Sequence, residues 1–273
     1  MKTLTRWMLT ALVAMLAWAA PQAQAQVRLL LRFEHASYLQ FETVNAYVSI
    51  YNDADQPLCI GNGSSNLFSE LSFMIGQQRD DWLDKRKAGA VLEGLVLEPG
   101  EQRDVAIDIS RPYDLSAMGR YQVQAVLRDK GAVTAVSPQE SVEIVRGIEI
   151  ERVERAVPGL PDRLRTYSVR YWRRNRFEYA FLSVDEEPGR VNYGVYQLGK
   201  IVRTERPTIL VERDGKVTVR HLCAPDSVIR TVFMSEEDGM RFVDQRYENL
   251  DGTPFPEGAT RRRLPLPMPT VIR

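Results

Sequence analysis

From Val27 onward, apolar and polar positions alternate with a period of two. Val27, Leu29, Leu31 and Phe33 are interleaved with Arg28, Leu30, Arg32 and Glu34. Val44, Ala46, Val48 and Ile50 are interleaved with Asn45, Tyr47, Ser49 and Tyr51, and Leu71–Ile75, Val105–Ile109, Tyr121–Leu127 and Val142–Val145 follow the same rule. Successive side chains of a strand point to opposite faces, so each segment carries one apolar face. The segments are separated by turn-forming stretches: Asn52-Asp53-Ala54-Asp55-Gln56-Pro57, Gly61-Asn62-Gly63-Ser64-Ser65, Glu98-Pro99-Gly100 and Asp129-Lys130-Gly131. Short strands at this spacing predict an antiparallel sandwich. Helical periodicity is not sustained anywhere beyond the leader. The best short helix candidates are Asp80–Lys87, which carries Trp82, and Glu236–Met240.

A junction falls at Val145-Arg146-Gly147-Ile148, and Pro158-Gly159-Leu160-Pro161 is expected to break the chain soon after. Beyond it, Tyr167, Val169 and Tyr171, then Phe177, Tyr179 and Phe181, alternate on either side of Asn175, the pattern of a tight hairpin. Thr208–Glu212 and Lys216–His221 flank Arg213-Asp214-Gly215, and Val228–Met234 and Met240–Tyr247 flank Glu236-Glu237-Asp238-Gly239. Asp-Gly between alternating runs is a hairpin signal. The predicted fold class is therefore all-β: two antiparallel domains, the first an immunoglobulin-like sandwich over 26–146, the second a β-meander sandwich or small barrel over 147–248. Residues 249–273, with five prolines from Pro254 to Pro269 and Arg261-Arg262-Arg263, form an extended tail, read either as a docking peptide or as solvated chain.

Leu115-Ser116-Ala117-Met118-Gly119-Arg120-Tyr121 adds detail to the first domain. A tyrosine early in a late strand of an immunoglobulin-like sandwich sends its hydroxyl back to the preceding connection, and a glycine before it allows the corner. Tyr121, followed by Val123, Ala125 and Leu127, fits that strand, with Gly119 at the corner. Upstream, Leu97-Glu98-Pro99-Gly100-Glu101, then Val105, Ile107 and Ile109, read as strand, turn, strand. Over about residues 27–146 this order resembles the immunoglobulin-like accessory domains of secreted proteins, such as those of deuterolysin-type proteases and the bacillary intracellular proteinase inhibitor. The resemblance implies a fold; sandwiches sharing these motifs serve unrelated functions.

The N-terminus sets the compartment. Lys2 and Arg6 precede an uncharged run, Trp7–Ala20, and Ala23-Gln24-Ala25 presents small residues where a signal peptidase reads. Residues 1–25 are read as a secretory signal peptide, which predicts a periplasmic or extracellular protein with no transmembrane segment after cleavage. Cleavage removes two of the 36 basic residues and none of the 36 acidic ones, leaving a net charge of −2. No polyanion binding driven by bulk charge follows from that balance, and no nucleic acid partner is expected. In an oxidising compartment Cys59 and Cys223 can form a disulfide; the other reading is two separately packed thiols.

Chemistry is sparse. The only histidines are His35 and His221, and His-Glu-x-x-His is absent, so the zinc chemistry of deuterolysin does not accompany the resemblance. His221-Leu222-Cys223 offers two metal ligands where zinc takes three or four, and is read as a half-exposed histidine beside a packed cysteine. No metal and no cofactor is expected. Gly-x-Ser-x-Gly is absent, and acidic clusters such as Asp185-Glu186-Glu187 sit in turns. Asn62-Gly63-Ser64 matches a glycosylation sequon. The candidate ligand-binding residues are Arg170, Trp172 and Arg174, which alternation places on one face, opposite Tyr167, Val169, Tyr171 and Arg173. A Trp172 ring between guanidinium groups can stack a sugar, a peptide or a nucleobase; alternatively it covers the core of an edge hairpin. The expected function is an exported, non-enzymatic binding protein with a protein or glycan partner in the cell envelope. The rivals are a hydrolase using paired carboxylates, a periplasmic chaperone and a proteinase-inhibitor-like module.

Overall fold

A computed structural model describes residues 27–61, 69–78, 81–86, 91–186 and 191–255. The expected leader, the sequon at Asn62 and the tail beyond 255 lie outside them. The described chain is all-β, and no helix in it is long and apolar enough to cross a membrane.

The first domain contains β1 (Val27–Phe33), β2 (Ser37–Leu39), β3 (Asn45–Asn52), β4 (Leu58–Ile60), β5 (Ser69–Gly76), β6 (Leu95–Leu97), β7 (Gln102–Asp108), β8 (Gly119–Asp129), β9 (Ala132–Val136) and β10 (Glu140–Val145). One sheet has the order β1-β3-β7 and the other β2-β10-β8-β5-β4-β6, with β9 also on β8. The pairing sets Leu29 opposite Ile50 and Leu31 opposite Val48, so the apolar positions of both strands turn to one side. There they join Leu71, Phe73, Ile75, Tyr121, Val123, Ala125 and Leu127 of the other sheet in a single core. This is an immunoglobulin-like sandwich, with the short β2 running parallel to β10.

Tyr121 forms the expected corner: its hydroxyl donates to the Ala117 carbonyl at 2.9 Å, and Gly119 has φ 131°, where a side chain is strained. The strand facing β8 is interrupted at Ser137-Pro138, because Pro138 has no N–H to give. Ser137 bridges the gap. Its N–H donates to the Ala125 carbonyl and its hydroxyl accepts from the Ala125 N–H, each at 2.9 Å. Val142–Val145 lies in β10 between β2 and β8, while Ile148 begins the second domain.

The second domain contains β11 (Ile148–Val157), β12 (Leu160–Arg174), β13 (Phe177–Glu186), β14 (Val191–Lys200), β15 (Thr208–Val211), β16 (Lys216–Ala224), β17 (Ser227–Glu236) and β18 (Gly239–Asn249). It is a meander of two four-stranded sheets, β11-β12-β13-β14 and β15-β16-β17-β18. Tyr167, Val169, Leu182, Val184, Tyr196 and Leu198 of the first pack with Val217, Val219, Phe233 and Met240 of the second. Three sequence expectations change. Pro158-Gly159 does not break the chain; it is the turn between β11 and β12, with Gly159 at φ 77°. Glu236–Met240 is the β17–β18 hairpin rather than a helix, and the described part of the Trp82 segment is extended, Trp82 bridging to Gly76. At the hairpin, pairing of the adjacent strands outweighs the weak local helix preference.

The outer face of the second sheet is held by charge. Arg220, Arg230 and Arg246 lie directly opposite one another on β16, β17 and β18. Like charges in that arrangement repel, and the buried Glu248 carboxylate offsets them, at 3.4, 3.8 and 3.0 Å respectively.

Candidate functional site

β12 is buried on both faces over Arg165–Val169. Tyr167 and Val169 point into the second sandwich. The other face carries Thr166, Ser168, Arg170, Trp172 and Arg174, opposite Asp185, Ser183, Phe181, Tyr179 and Phe177 of β13. Arg170, Trp172 and Arg174 do share one face, and it is the face that meets the first domain.

The three do not form one open platform. Phe181 and Val195 pack with Leu39 of β2, and Trp172, Tyr179 and Val145 close around them. The Trp172 indole N–H donates to the Ser37 hydroxyl at 2.9 Å. Arg174 is buried: its guanidinium pairs with the Glu42 carboxylate, donates to Gln197 Oε1 at 2.8 Å, and stands over the rings of Phe181 and Tyr38, 4.7 and 5.5 Å away. Burial pushes the Glu42 carboxyl up from its usual range, with Arg174 pulling the other way. Trp172 and Arg174 are thus spent on the domain junction. Arg170 alone of the three reaches a cavity wall, with Glu149 at 3.3 Å and the Arg146 carbonyl at 3.2 Å.

Where the first domain stops covering this face, its chemistry changes. The apolar Trp172, Tyr179 and Phe181 give way to Thr166, Ser168, Ser183 and Asp185. Two cavities open there, of about 560 and 530 Å³. Asp185 and Phe41 line both. Asp185 is held in place by the Asn192 amide, donating at 2.7 Å, and the Ser183 hydroxyl, at 3.2 Å. Each oxygen accepts one bond, so lone pairs remain for a ligand.

Phe41 comes from the turn Leu39–Glu42, closed by the Glu42 N–H on the Leu39 carbonyl at 2.9 Å. The turn is fixed further by Gln40, whose N–H donates to Val145 at 2.7 Å and whose side chain donates to Ser116 at 2.6 Å. Phe41 occupies the third turn position with φ 69°, where glycine is the usual residue, and it is 39% exposed. Sequence reasoning missed Phe41 and Asp185. Leu39-Gln40-Phe41-Glu42 holds no turn-forming residue, and Asp185 was placed in a solvated turn. The one available signal was the run of small polar residues, Ser168 and Ser183, on strands otherwise apolar.

Cys59 and Cys223 are both half-buried. They sit in different domains, on β4 and β16, and the Cys223 thiol donates to the Ser227 carbonyl at 3.3 Å. The expected half-exposed His221 is instead 2% exposed. Its Nε2 meets the Lys200 carbonyl at 3.1 Å, which makes Nε2–H the donor, and Nδ1 has no partner. Among the described residues no three His, Cys, Asp or Glu side chains gather as a metal-holding group. Burial pulls His221 down to about 4. Its folded value lies below its unfolded one, so its stability contribution is present above about pH 6.5 and is lost as pH falls toward 4. The expected loss over that window is about 3 kcal/mol. Denaturant melts at several pH values check this: His221→Gln should flatten the acid limb, and an unchanged slope would refute it.

No protein-family model matches the chain, and no curated protein does. Among solved structures, it is similar to the Pseudomonas fluorescens alkylpurine DNA glycosylase AlkC bound to DNA containing an abasic site analog. The likeness has 17% identity and a TM-score of 0.27, covering 48% of this chain and 33% of that one. The chain thus spans about a third of that protein's length, and a likeness of this size carries no argument about fold or activity.

Proposed function

We propose that this protein is an exported, non-enzymatic binding protein of the cell envelope, and that its ligand, a glycan or a protein segment, enters the cleft between the two β-domains. The observation that carries this reading is the split face of β12 and β13, apolar under the first domain and lined with hydroxyls and a carboxylate where it opens onto the cavities. Packing alone would favour apolar residues at buried strand positions. Thr166 and Ser183 are buried polar residues on that wall. Cavities of this size at a domain boundary, with a few oriented polar groups, are the usual setting for ligand binding. The signal peptide reading of residues 1–25 supports the compartment.

One observation favours a hydrolase instead: the desolvated Glu42 carboxyl lines the same cavity as Asp114, Asp185 and Asp238. Glu42 is committed elsewhere, however, accepting from Arg174 and from the Leu39 N–H at 2.8 Å. The reading is tested with Ser183→Trp, which fills the cavity, and Arg152→Glu, which inverts a charge on its wall. Oligosaccharide and peptide probes titrated against each variant should lose about tenfold or more in affinity while the fold, monitored by circular dichroism, persists. Ligand affinity indifferent to both variants would place binding elsewhere. Turnover of a glycosidic or peptide substrate, abolished by Asp185→Asn, would establish the hydrolase reading.

A further inference from the structure

Phe41 is the one large aromatic side chain presented to both cavities from a backbone position that disfavours it. A phenylalanine at φ 69° gives up the ordinary conformations of an L-residue, and such outliers concentrate at ligand clamps. The turn leaves it little freedom to relax: Gln40 is tied to Val145 and Ser116, Glu42 to Arg174, and Leu39 to the Glu42 carboxylate within the turn. Sharing both cavities with Phe41 is Asp185, whose oxygens are each oriented by one donor and open to others.

The geometry points to a neutral sugar ring as the occupant, stacked on Phe41 with adjacent hydroxyls donating to Asp185; this rests on the cleft-binding reading above and narrows it. The axial C–H groups of a pyranose carry partial positive charge and suit the electron-rich face of the ring. A carboxylate with two oriented oxygens accepts from two neighbouring hydroxyls, which a peptide backbone does not supply. Arg170, on the wall of the second cavity, and Asn192, on the wall of the first, provide donors to ring and hydroxyl oxygens. An anionic group placed directly against Asp185 is disfavoured, because the two charges would oppose each other at close range.

The test titrates the full chain with neutral oligosaccharides (α- and β-linked glucans, mannans and N-acetylated chains) and, in parallel, with unstructured peptides, by calorimetry and saturation-transfer NMR. At least one oligosaccharide should bind with saturation passing from aromatic protons to the sugar. Phe41→Leu keeps the apolar bulk and the same backbone burden but removes the ring, and should weaken binding about tenfold; Phe41→Trp should retain it. Asp185→Asn should weaken it by about as much. Phe41→Gly relieves the backbone, so its melting temperature should stay close to the parent's although binding is lost. Peptide binding that is sensitive to Ser183→Trp, with no oligosaccharide binding, overturns the sugar proposal and leaves the cleft reading standing. Oligosaccharide binding indifferent to Ser183→Trp and to both Phe41→Leu and Asp185→Asn overturns both. No oligosaccharide bound at millimolar concentration, or equal affinity for Phe41→Leu and the parent, also overturns the sugar proposal.

Discussion

Arg165→Met is expected to destabilise the second domain by about 3–5 kcal/mol, because several buried acceptors lose their donor at about 1–3 kcal/mol each. Arg165 is fully buried, reaching from the inner face of β12 to the far sheet. Its Nη1 donates to the Ser235 hydroxyl at 2.8 Å and the Glu236 carbonyl at 2.5 Å, and its Nη2 donates to the Glu237 carbonyl at 2.7 Å. One guanidinium thus ties down the β17–β18 turn. It also stacks on Tyr193, 4.0 Å from the ring centre, and lies 3.6 Å from Glu186. Glu186 is held well below the usual carboxylate range, to about 2, chiefly by the hydrogen bond from Arg163. Methionine supplies the bulk and none of the donors. Arg165→Lys should rescue little, because a single ammonium cannot span the carbonyls a planar fork reaches. Chemical denaturation followed by the tyrosine signal of this domain measures the loss; a cost below about 1 kcal/mol for both variants contradicts the account.

Glu42→Ala is expected to separate the unfolding of the two domains. The substitution leaves Arg174 charged and without its acid inside the junction, costing about 3–5 kcal/mol of domain docking. Calorimetry should then show two transitions where the parent shows one, with the sandwich cores themselves intact. The converse variant sharpens the test. Glu42→Gln combined with Arg174→Met removes both charges and keeps the volume, and should recover most of the loss, since buried pairs exchange for apolar groups at little net cost. A single cooperative transition for Glu42→Ala would show that the apolar contacts of Leu39, Phe181 and Val195 suffice alone.

What could be read from sequence was what period-two alternation encodes. β1, β3 and β8 each keep one face in a core and the other outward, so their pattern survives in the chain, and Gly119 with Tyr121 marks a corner by local chemistry alone. β12 is different, because both its faces are covered. Alternation assigned Trp172 and Arg174 to the correct face, yet the surface that receives them is built from Ser37, Leu39 and Glu42, more than a hundred residues earlier. Arg165 falls on the inward side by the same alternation, but a lone inward arginine reads as a conflict until the carbonyls of the β17–β18 turn are brought to it. Phe41 was illegible for a related reason: a turn held by long-range hydrogen bonds needs no turn-forming sequence of its own. Cys59 and Cys223 offered a pairing only by number, and the topology sends them to separate domains.

Between β10 and β11 the chain has just two residues, Arg146 and Gly147. Gly147 sits at φ 70°, and a Cβ there would come within 3.1 Å of Leu39. So short a tether holds the surfaces of the two halves at an effective concentration far above that of any free encounter. A junction of one ion pair, one indole hydrogen bond and a small apolar patch therefore suffices, where separate molecules of the same halves would dissociate. The reach of any opening is bounded in the same way: a tether of two residues permits a change in the angle between the domains far more than in the distance between them.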